Sequence, residues 1–297
     1  MIEINIDPVL LRLGPLMITW HGFFTAVGVL AGIWYVTRLA VERGFTEDDI
    51  MSIALWCVVG GIVGARLFHV IDAWEYYAAD PLAILRVNEG GLAIWGTIVG
   101  GPIAGILYAK RHHLPVGRLM DICGLGLILG MAIGRLGDIV NGEHHGALAA
   151  GLPWSVNFMH PQTLGEIGVP VHLAVGYELL WDMAVFAVCS WLLYRRILPR
   201  DSMVFWTMIA LYSAGRFVVQ FFRLDQPFIF GLSQAQFLAF AVGAIAVWIL
   251  VYQWTRASRA GATDDLNPLD DDDLEDTLPP PSAANVGTAG SGGSTAP

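Results

Sequence analysis

Charged residues are scarce in this sequence, and those present are mainly acidic. Only 14% of the 297 residues are charged, with 26 Asp and Glu against 16 Lys and Arg, for a formal net charge of −10. Nucleic-acid binding needs basic residues that neutralise phosphates, so we do not expect a nucleic-acid partner. Soluble globular domains are about 25% charged, so the composition also disfavours an ordinary soluble protein.

The sequence also lacks the common signatures of metal-dependent and serine hydrolases. Its three cysteines, Cys57, Cys123 and Cys189, are scattered among aliphatic residues, where a thiol acts as a small hydrophobic group. Neither His-Glu-x-x-His nor Gly-x-Ser-x-Gly occurs, and the adjacent His144 and His145 would diverge by about 100° on a helix. We therefore predict no disulfide framework, no metal site and no soluble cofactor.

Long apolar runs dominate the sequence. Hydrophobic residues make up 55% of it, and the mean hydropathy is +0.58. A transmembrane helix needs about 20 apolar residues, and runs near that length lie at 17–37, 49–69, 91–109, 119–139, 174–194, 203–222 and 234–254. Most are apolar on all sides, which is typical of membrane helices. We predict an all-α integral membrane protein with seven transmembrane helices.

The basic residues between these runs indicate how the chain is oriented. Cytoplasmic loops are enriched in Lys and Arg, and most of the 16 basic residues follow the first, third, fifth and seventh runs. This predicts an N-terminus outside, a C-terminus in the cytoplasm and a first span that is retained. We divide the chain into a membrane catalytic domain, 1–260, and an acidic cytoplasmic tail, 261–297, whose Asp-rich, Pro-bearing composition predicts disorder.

Three arginines lie inside apolar runs, where a charge is costly. Arg66, Arg135 and Arg216 each fall near one end of a run, and the predicted topology puts all three toward the outer face. A charge at mid-membrane costs roughly 2.5–3.5 kcal/mol on insertion scales, so such residues usually mark a functional site. Because a guanidinium group suits phosphate, we predict a site for a phospholipid head group. The alternative for any single arginine is a structural pairing with a carbonyl or carboxylate.

One segment carries a recognisable motif. Residues 134–146 read Gly-Arg-Leu-Gly-Asp-Ile-Val-Asn-Gly-Glu-His-His-Gly. This closely resembles the signature of the prolipoprotein diacylglyceryl transferases, which reads Gly-Arg-Leu-Gly-Asn, two residues, Asn-Gly-Glu, two residues, Gly. Further segments match in the family's order: Trp20-His21-Gly22, Gly64-Ala65-Arg66, Gly90-Gly91, Asp121, Tyr177-Glu178 and Gly215-Arg216. The resemblance covers roughly residues 8–255 and is highly specific.

The resemblance implies a transferase of the bacterial cell membrane that acts at the outer leaflet. Such enzymes move the sn-1,2-diacylglyceryl group of phosphatidylglycerol to the lipobox cysteine thiol of a prolipoprotein. A thioether forms and glycerol 1-phosphate is released, which is the first step of lipoprotein maturation. The implied partners are phosphatidylglycerol, a prolipoprotein signal peptide with its lipobox cysteine, and membrane lipids.

The resemblance also implies the site residues. Arg135 and Arg216 match the family's essential arginines, and we expect both to be catalytic, together with His21 and Glu143. The substrate-binding residues that we expect are Arg66, Trp95, Asp138, Asn141, Gly146, His172, Tyr177, Glu178, Gln220 and Arg223.

Four positions depart from the family pattern. His21 stands where many members have Tyr, and Trp95 where some have a functional His. Asp138 stands where the signature has Asn, and Gln220 where the motif of the sixth span has Glu. We hypothesise that the last two changes compensate each other, with Asp138 supplying the counter-charge of Arg216. Independent drift at two tolerant positions is the alternative.

The base that deprotonates the thiol is a separate question. An imidazole can accept a proton near neutral pH, so we hypothesise that His21 acts as this base. The alternative is that His21 only replaces the hydrogen bonds of the tyrosine. His172 and Glu143 are then the next candidates.

Two other functions also account for arginines in a membrane. A lipid or anionic-solute transporter would bind phosphate in transit, but transporter sites usually lie near the midplane between internal repeats. Here the polar residues gather toward one face, and no convincing repeat is present. A purely structural membrane subunit would leave the buried arginines without a role.

Overall fold

The computed structural model describes residues 1–14, 16–86 and 90–259. The predicted disordered tail, 261–297, lies outside the described residues. Within them the helices are α1 (Trp20–Val41), α2 (Glu47–Asp72), α3 (Trp74–Ala79), α4 (Ile94–Arg111), α5 (Val116–Asn141), α6 (Ala174–Tyr194), α7 (Met203–Val219) and α8 (Gln234–Arg259). Short 3-10 helices cover Pro81–Leu85 and Gln220–Phe222.

Six helices in the described ranges are long and apolar enough to cross a membrane. They are α1, α2, α5, α6, α8, and α7 extended to Phe222. These helices confirm six of the predicted spans and indicate a multi-pass membrane protein. The seventh predicted span, 91–109, corresponds to helix α4, which is not among these six helices. This helix has 18 residues, contains Pro102 and ends in Lys110 and Arg111.

Short strands correct the expectation of a purely helical chain. Strand β1 (Ile2–Ile4) pairs in parallel with β4 (Val156–Phe158), while β2 (Val9–Leu13) pairs antiparallel with β3 (Leu16–Thr19). A third pair, β5 (Pro227–Ile229) and β6 (Leu232–Ser233), precedes α8. Strands of two to five residues carry too little periodicity to be found from the sequence. The β1–β4 pair ties the N-terminus to the segment between α5 and α6.

Glycines allow two antiparallel helix pairs to pack at backbone distance. In the α1–α5 pair, a Cβ placed on Gly28 would lie 2.5 Å from the carbonyl oxygen of Gly130. In the α2–α4 pair, Gly64 and Gly96 face each other so closely that a Cβ on either would overlap the other's backbone. Small residues at such positions are the usual means of tight helix packing in membranes. The first pairing brings the start of α1 beside the end of α5.

Helix α5 forms the centre of the helical bundle. Its Ile122, Leu125 and Ile128 are among the least exposed side chains, at 0–1%. Its second turn also fixes the start of α7, because the carboxylate of Asp121 accepts hydrogen bonds from the backbone of Ser202 at 2.8 Å and Phe205 at 2.7 Å. The ends of α5 and α7 are thereby positioned at the opposite side of the bundle, where the predicted site residues lie.

Candidate active site

Four helix ends build the site: the start of α1, the end of α5, the start of α6 and the end of α7. Helices α1 and α5 approach each other closely at Gly137, where an added Cβ would lie 2.6 Å from the Cα of His21. Any larger residue at this position would push α1 away from α5. The glycine therefore positions His21 next to Asp138, the residue that follows it.

Glu178 is the centre of the most highly charged part of the site. It lies in the first turns of α6, and its side chain is only 5% exposed. Its carboxylate oxygens contact Arg216, Arg135 at 2.9 Å and Arg223 at 3.3 Å. The three arginines come from α5, from α7 and from the chain directly after it. We call these four residues the arginine cluster.

The three arginines of the arginine cluster share one central carboxylate, that of Glu178. Two further carboxylates lie at its edge: Asp138 is 3.3 Å from Arg135, and Asp225 is 3.6 Å from the Nε of Arg223. Burial and the nearby charge of Arg216 lower the pKa of Arg223, although an arginine stays protonated at neutral pH. Guanidinium groups brought together in this way can bind a phosphate through paired hydrogen bonds, so this part of the site suits a phosphate group.

A second group of polar side chains adjoins the arginine cluster. The Nδ1 atom of His21 lies 2.5 Å from Asp138 Oδ1 and 3.5 Å from Glu143 Oε1. Asn141 donates a hydrogen bond of 2.9 Å to Glu143, which holds that carboxylate in place. Since Nδ1 faces two carboxylates, it carries the hydrogen and leaves Nε2 as the free acceptor. The His21 side chain is 45% exposed, so a substrate can reach it.

The same group has the composition of a metal site. The candidate ligand atoms of His21, Asp138 and Glu143 lie within 4.8 Å of one another, a donor set that the spacing of residues along the sequence did not reveal. His21 is already hydrogen-bonded to Asp138, and the guanidinium of Arg135 lies 3.3 Å from Asp138. That positive charge opposes the binding of a cation. The arrangement therefore suits proton transfer better than metal binding.

Gly146 brings the segment after α5 against Arg223. The two residues form an isolated antiparallel β-bridge, and a Cβ on Gly146 would overlap the carbonyl of His172. His172 in turn lies with its Nδ1 3.1 Å from the Tyr177 hydroxyl and packs on Phe222. These contacts support the wall of the site. Gly146, His172 and Tyr177 thus lie at the site and contact one another or its wall, while their predicted binding of substrate stays a prediction.

His144 also borders the site but is not expected to act as a cation. Its Nε2 is 3.9 Å from Asp138. Burial and the charge of Arg223 lower the pKa of His144, which keeps the imidazole neutral at neutral pH.

The hypothesis that Asp138 replaces a missing counter-charge near Arg216 is wrong. Arg216 pairs with Glu178, while the partners of Asp138 are His21 and Arg135. Gln220 donates instead to the carboxylate of Asp225. The departures that meet in the structure are therefore His21 and Asp138, whereas Gln220 belongs to a different part of the site.

Arg66 has a structural role, which corrects its prediction as a substrate-binding residue. Its guanidinium donates hydrogen bonds of 2.5–3.2 Å to five backbone carbonyls. It also lies over the ring of Tyr77, 5.1 Å from the ring centre. These carbonyls belong to Ala83, Ile84, Arg86, Gly90 and Gly91. Its donors are thus taken up by the chain between α3 and α4.

The structure does not join Trp95 to the arginine cluster. The residue lies in the first turn of α4 and is 46% exposed. Within the described residues, no hydrogen bond or ring contact links it to the arginines or to His21. Its predicted contact with substrate is thus unsupported by the geometry.

Two acidic residues of the site were not predicted. Asp182 lies one turn after Glu178 on α6, is 1% exposed, and has an Oδ2 atom without a hydrogen-bond partner in the described chain. The signal was available, because an acid within an apolar run is rare and usually functional. Asp225 gave no such signal, since it lies in a loop after α7.

Comparison with known proteins identifies the family. The family model described as prolipoprotein diacylglyceryl transferase matches residues 8–252. Curated relatives named phosphatidylglycerol–prolipoprotein diacylglyceryl transferase include one from Dehalococcoides mccartyi, 35% identical over 88% of this chain and 98% of that protein. Another from Symbiobacterium thermophilum is 36% identical over 86% of this chain and 96% of that protein. The chain therefore belongs to the prolipoprotein diacylglyceryl transferase family, whose members are transferases.

Proposed function

We propose that this protein transfers the sn-1,2-diacylglyceryl group of phosphatidylglycerol to the lipobox cysteine of prolipoproteins. The products are a thioether-linked lipoprotein precursor and glycerol 1-phosphate. The observation that carries this proposal is the arginine cluster, in which Arg135, Arg216 and Arg223 share the single carboxylate of Glu178. Such a cluster suits the phosphate of a lipid head group.

The reaction breaks the bond between the glycerol carbon and the phosphate oxygen while the thiolate sulfur bonds to that carbon. The electron pair of the broken bond stays on the phosphate oxygen, so negative charge grows there. Arg135 and Arg216 stabilise that charge from fixed positions, and one such donor is typically worth about 3 kcal/mol. Arg223 has the most buried side chain of the three arginines and adds positive charge next to Glu178.

His21 is the proposed acceptor of the thiol proton. Asp138 holds Nδ1, which orients the ring and stabilises the imidazolium that forms when Nε2 accepts the proton. Glu143, which Asn141 holds 3.5 Å from His21, is the second candidate base. His172 is less suited because its Nδ1 already bonds to Tyr177.

The proposed topology follows from the basic residues between the spans. The N-terminus lies outside, the C-terminus lies in the cytoplasm, and α4 completes seven membrane crossings. This orientation puts His21 and the arginine cluster at the outer leaflet of the plasma membrane, where secreted prolipoproteins present their cysteines. A lipid transporter remains the alternative, but no feature of the site favours it over the chemistry proposed here.

A direct assay tests the proposal. Purified protein is incubated with phosphatidylglycerol and a lipobox peptide, and the peptide is weighed by mass spectrometry. We expect a mass gain of one diacylglyceryl group, no gain with a Cys→Ser peptide, and release of glycerol phosphate. Folded wild-type protein that leaves the cysteine peptide unmodified would overturn the proposed function.

A further inference from the structure

A cleft of about 540 Å³ opens between α1 and α6 at the end of the bundle away from the candidate active site. Both helices pack on α5, whose Leu125 contributes to the cleft. At its inner end the Tyr35 hydroxyl lies 3.4 Å from the Ser190 hydroxyl, which bridges the two helices. One to two turns further along, Arg38 and Arg43 border the opening.

Arg43 is half-buried, yet its guanidinium makes few polar contacts. It donates one hydrogen bond, of 3.2 Å, to the backbone carbonyl of Leu193. Among the residues that the structure describes, no carboxylate lies within 4 Å of its guanidinium. Burial and the charge of Arg196 lower the pKa of Arg43. Glu42 also lines the opening and lies 3.7 Å from Arg38. This one carboxylate faces Arg38, Arg43 and the nearby Arg196, so the opening keeps a positive charge that favours an anion.

The other wall residues indicate what kind of anion fits. Trp34, Trp191 and Tyr194 border the cleft and are 62%, 55% and 83% exposed. Tryptophan and tyrosine are enriched where membrane helices meet the head-group region. The volume lies within the about 300–1,000 Å³ of small-molecule pockets. An apolar wall below a cationic opening matches an acyl chain below a phosphate, whereas a soluble anion would leave the wall uncovered.

We propose that this cleft binds an anionic phospholipid of the leaflet opposite the active site. The phosphate lies at Arg38 and Arg43, and an acyl chain lies between α1 and α6 against Trp34 and Trp191. Polybasic segments next to membrane helices attract anionic lipids, and here the attraction is coupled to a shaped cavity. The site is separate from the transfer reaction and does not depend on the proposed function.

Native mass spectrometry of the purified full-length protein tests this site by counting retained lipids. The protein is incubated with phosphatidylglycerol or with phosphatidylcholine of the same acyl chains. We expect the Arg38→Gln/Arg43→Gln variant to retain one phosphatidylglycerol fewer than wild type. Arg256→Gln is the matched control: Arg256, in the last turn of α8, is at the same end of the bundle and lies 5.6 Å from the ring of Tyr252. This control should retain as many lipids as wild type.

A second variant keeps the test valid if the double substitution misfolds. Ser190→Trp fills the cleft without changing charge and should also lose one lipid. Arg216→Lys should instead weaken the lipid of the active site and keep that of the cleft, so the two proposals fail separately. Equal lipid counts in wild type, the double variant and Ser190→Trp would overturn the cleft proposal. So would equal retention of phosphatidylcholine and phosphatidylglycerol by wild type.

Discussion

Arg66 and Arg216 occupy similar positions in the sequence but opposite environments in the structure. Each arginine follows a small residue near the end of an apolar run. The guanidinium of Arg66 donates to five fixed carbonyls, which saturate it within the chain. Arg216 shares one carboxylate, that of Glu178, with Arg135 and Arg223.

The difference shows what separates a structural arginine from a ligand-binding one. Backbone carbonyls use the hydrogen-bond donors of Arg66 without leaving room for another acceptor. The three arginines of the arginine cluster have more N–H donors than Glu178, Asp138 and Asp225 occupy, so donors remain for a phosphate. Position in an apolar run reveals that an arginine is important, but only its partners reveal what it does.

The largest effect is expected from Arg135→Lys and Arg216→Lys. Each change replaces a planar fork by a point charge, and loss of one preorganised donor typically lowers turnover about 100- to 1,000-fold. The measurement is the rate of thioether formation by purified, monodisperse protein. Turnover equal to wild type in either variant would contradict the role of the arginine cluster.

The next effect concerns the pair formed by His21 and Asp138. We expect His21→Tyr and Asp138→Asn each to lower turnover about 100-fold, because they remove the base or its orienting partner. Turnover of the double variant should be no lower than that of the less active single variant, because the losses from residues that act as a unit do not add.

The pH dependence of the rate gives a further test of the same pair. Without a base at position 21, turnover of His21→Tyr should follow the thiolate fraction of the peptide cysteine and fall steeply as the pH is lowered. Wild-type turnover should depend less on pH, because His21 takes the thiol proton. Additive losses in the cycle, or the same pH profile in His21→Tyr and wild type, would assign the base to another residue.

Arg66→Lys should change stability and leave catalysis nearly intact. A lysine has three donors for five carbonyls, and each buried group left unsatisfied costs about 1–3 kcal/mol. We expect a lower thermal unfolding midpoint but near-wild-type turnover per folded molecule. A loss of turnover as large as that of Arg216→Lys, with an unchanged midpoint, would return Arg66 to the active site.

Metal removal should have no effect on turnover. His21, Asp138 and Glu143 have the composition of a metal site, but Arg135 opposes a cation there. We expect the same rate before and after dialysis against a strong chelator. If activity fell and zinc or another divalent ion restored it, the three residues would be metal ligands.

The smallest effect is expected from deletion of residues 261–297. The acidic, Pro-bearing sequence predicts a disordered cytoplasmic segment, remote from a site at the outer leaflet. Turnover per folded molecule should equal that of the full chain. A severe loss would contradict both the predicted disorder and the proposed topology.

Hydropathy predicted much of the fold because membrane helices are long and strongly apolar. Hydropathy also predicted α4 as a membrane span, but α4 is not among the six helices found to be apolar enough. Its Pro102 and its terminal Lys110 and Arg111 weaken its apolar character. Hydropathy missed strands such as Ile2–Ile4, which depend on a partner more than 150 residues away. Short strands of this kind are fixed by tertiary pairing rather than by local pattern.

The family resemblance named most of the residues that the structure brings together, but not their partners. His21 and Asp138 are 117 positions apart, so their contact depends on the packing of α1 on α5. Glu178 was predicted as a substrate contact, yet it is the shared partner of three arginines. The role of Arg66 depends on hydrogen bonds to backbone carbonyls, and the pattern of side chains in the sequence does not reveal these bonds.

The most direct test of the central claim is a distance measurement between arginine and lipid phosphate. Solid-state NMR of protein labelled with ¹³C in its arginines, in phosphatidylglycerol bilayers, reports which guanidinium carbons lie in contact with ³¹P. We predict a dephased arginine signal that is weaker in Arg216→Lys than in wild type and unchanged in Arg66→Lys. A signal that is unchanged in Arg216→Lys and weaker in Arg66→Lys would contradict the account, because the lipid phosphate would then lie at the arginine assigned to structure.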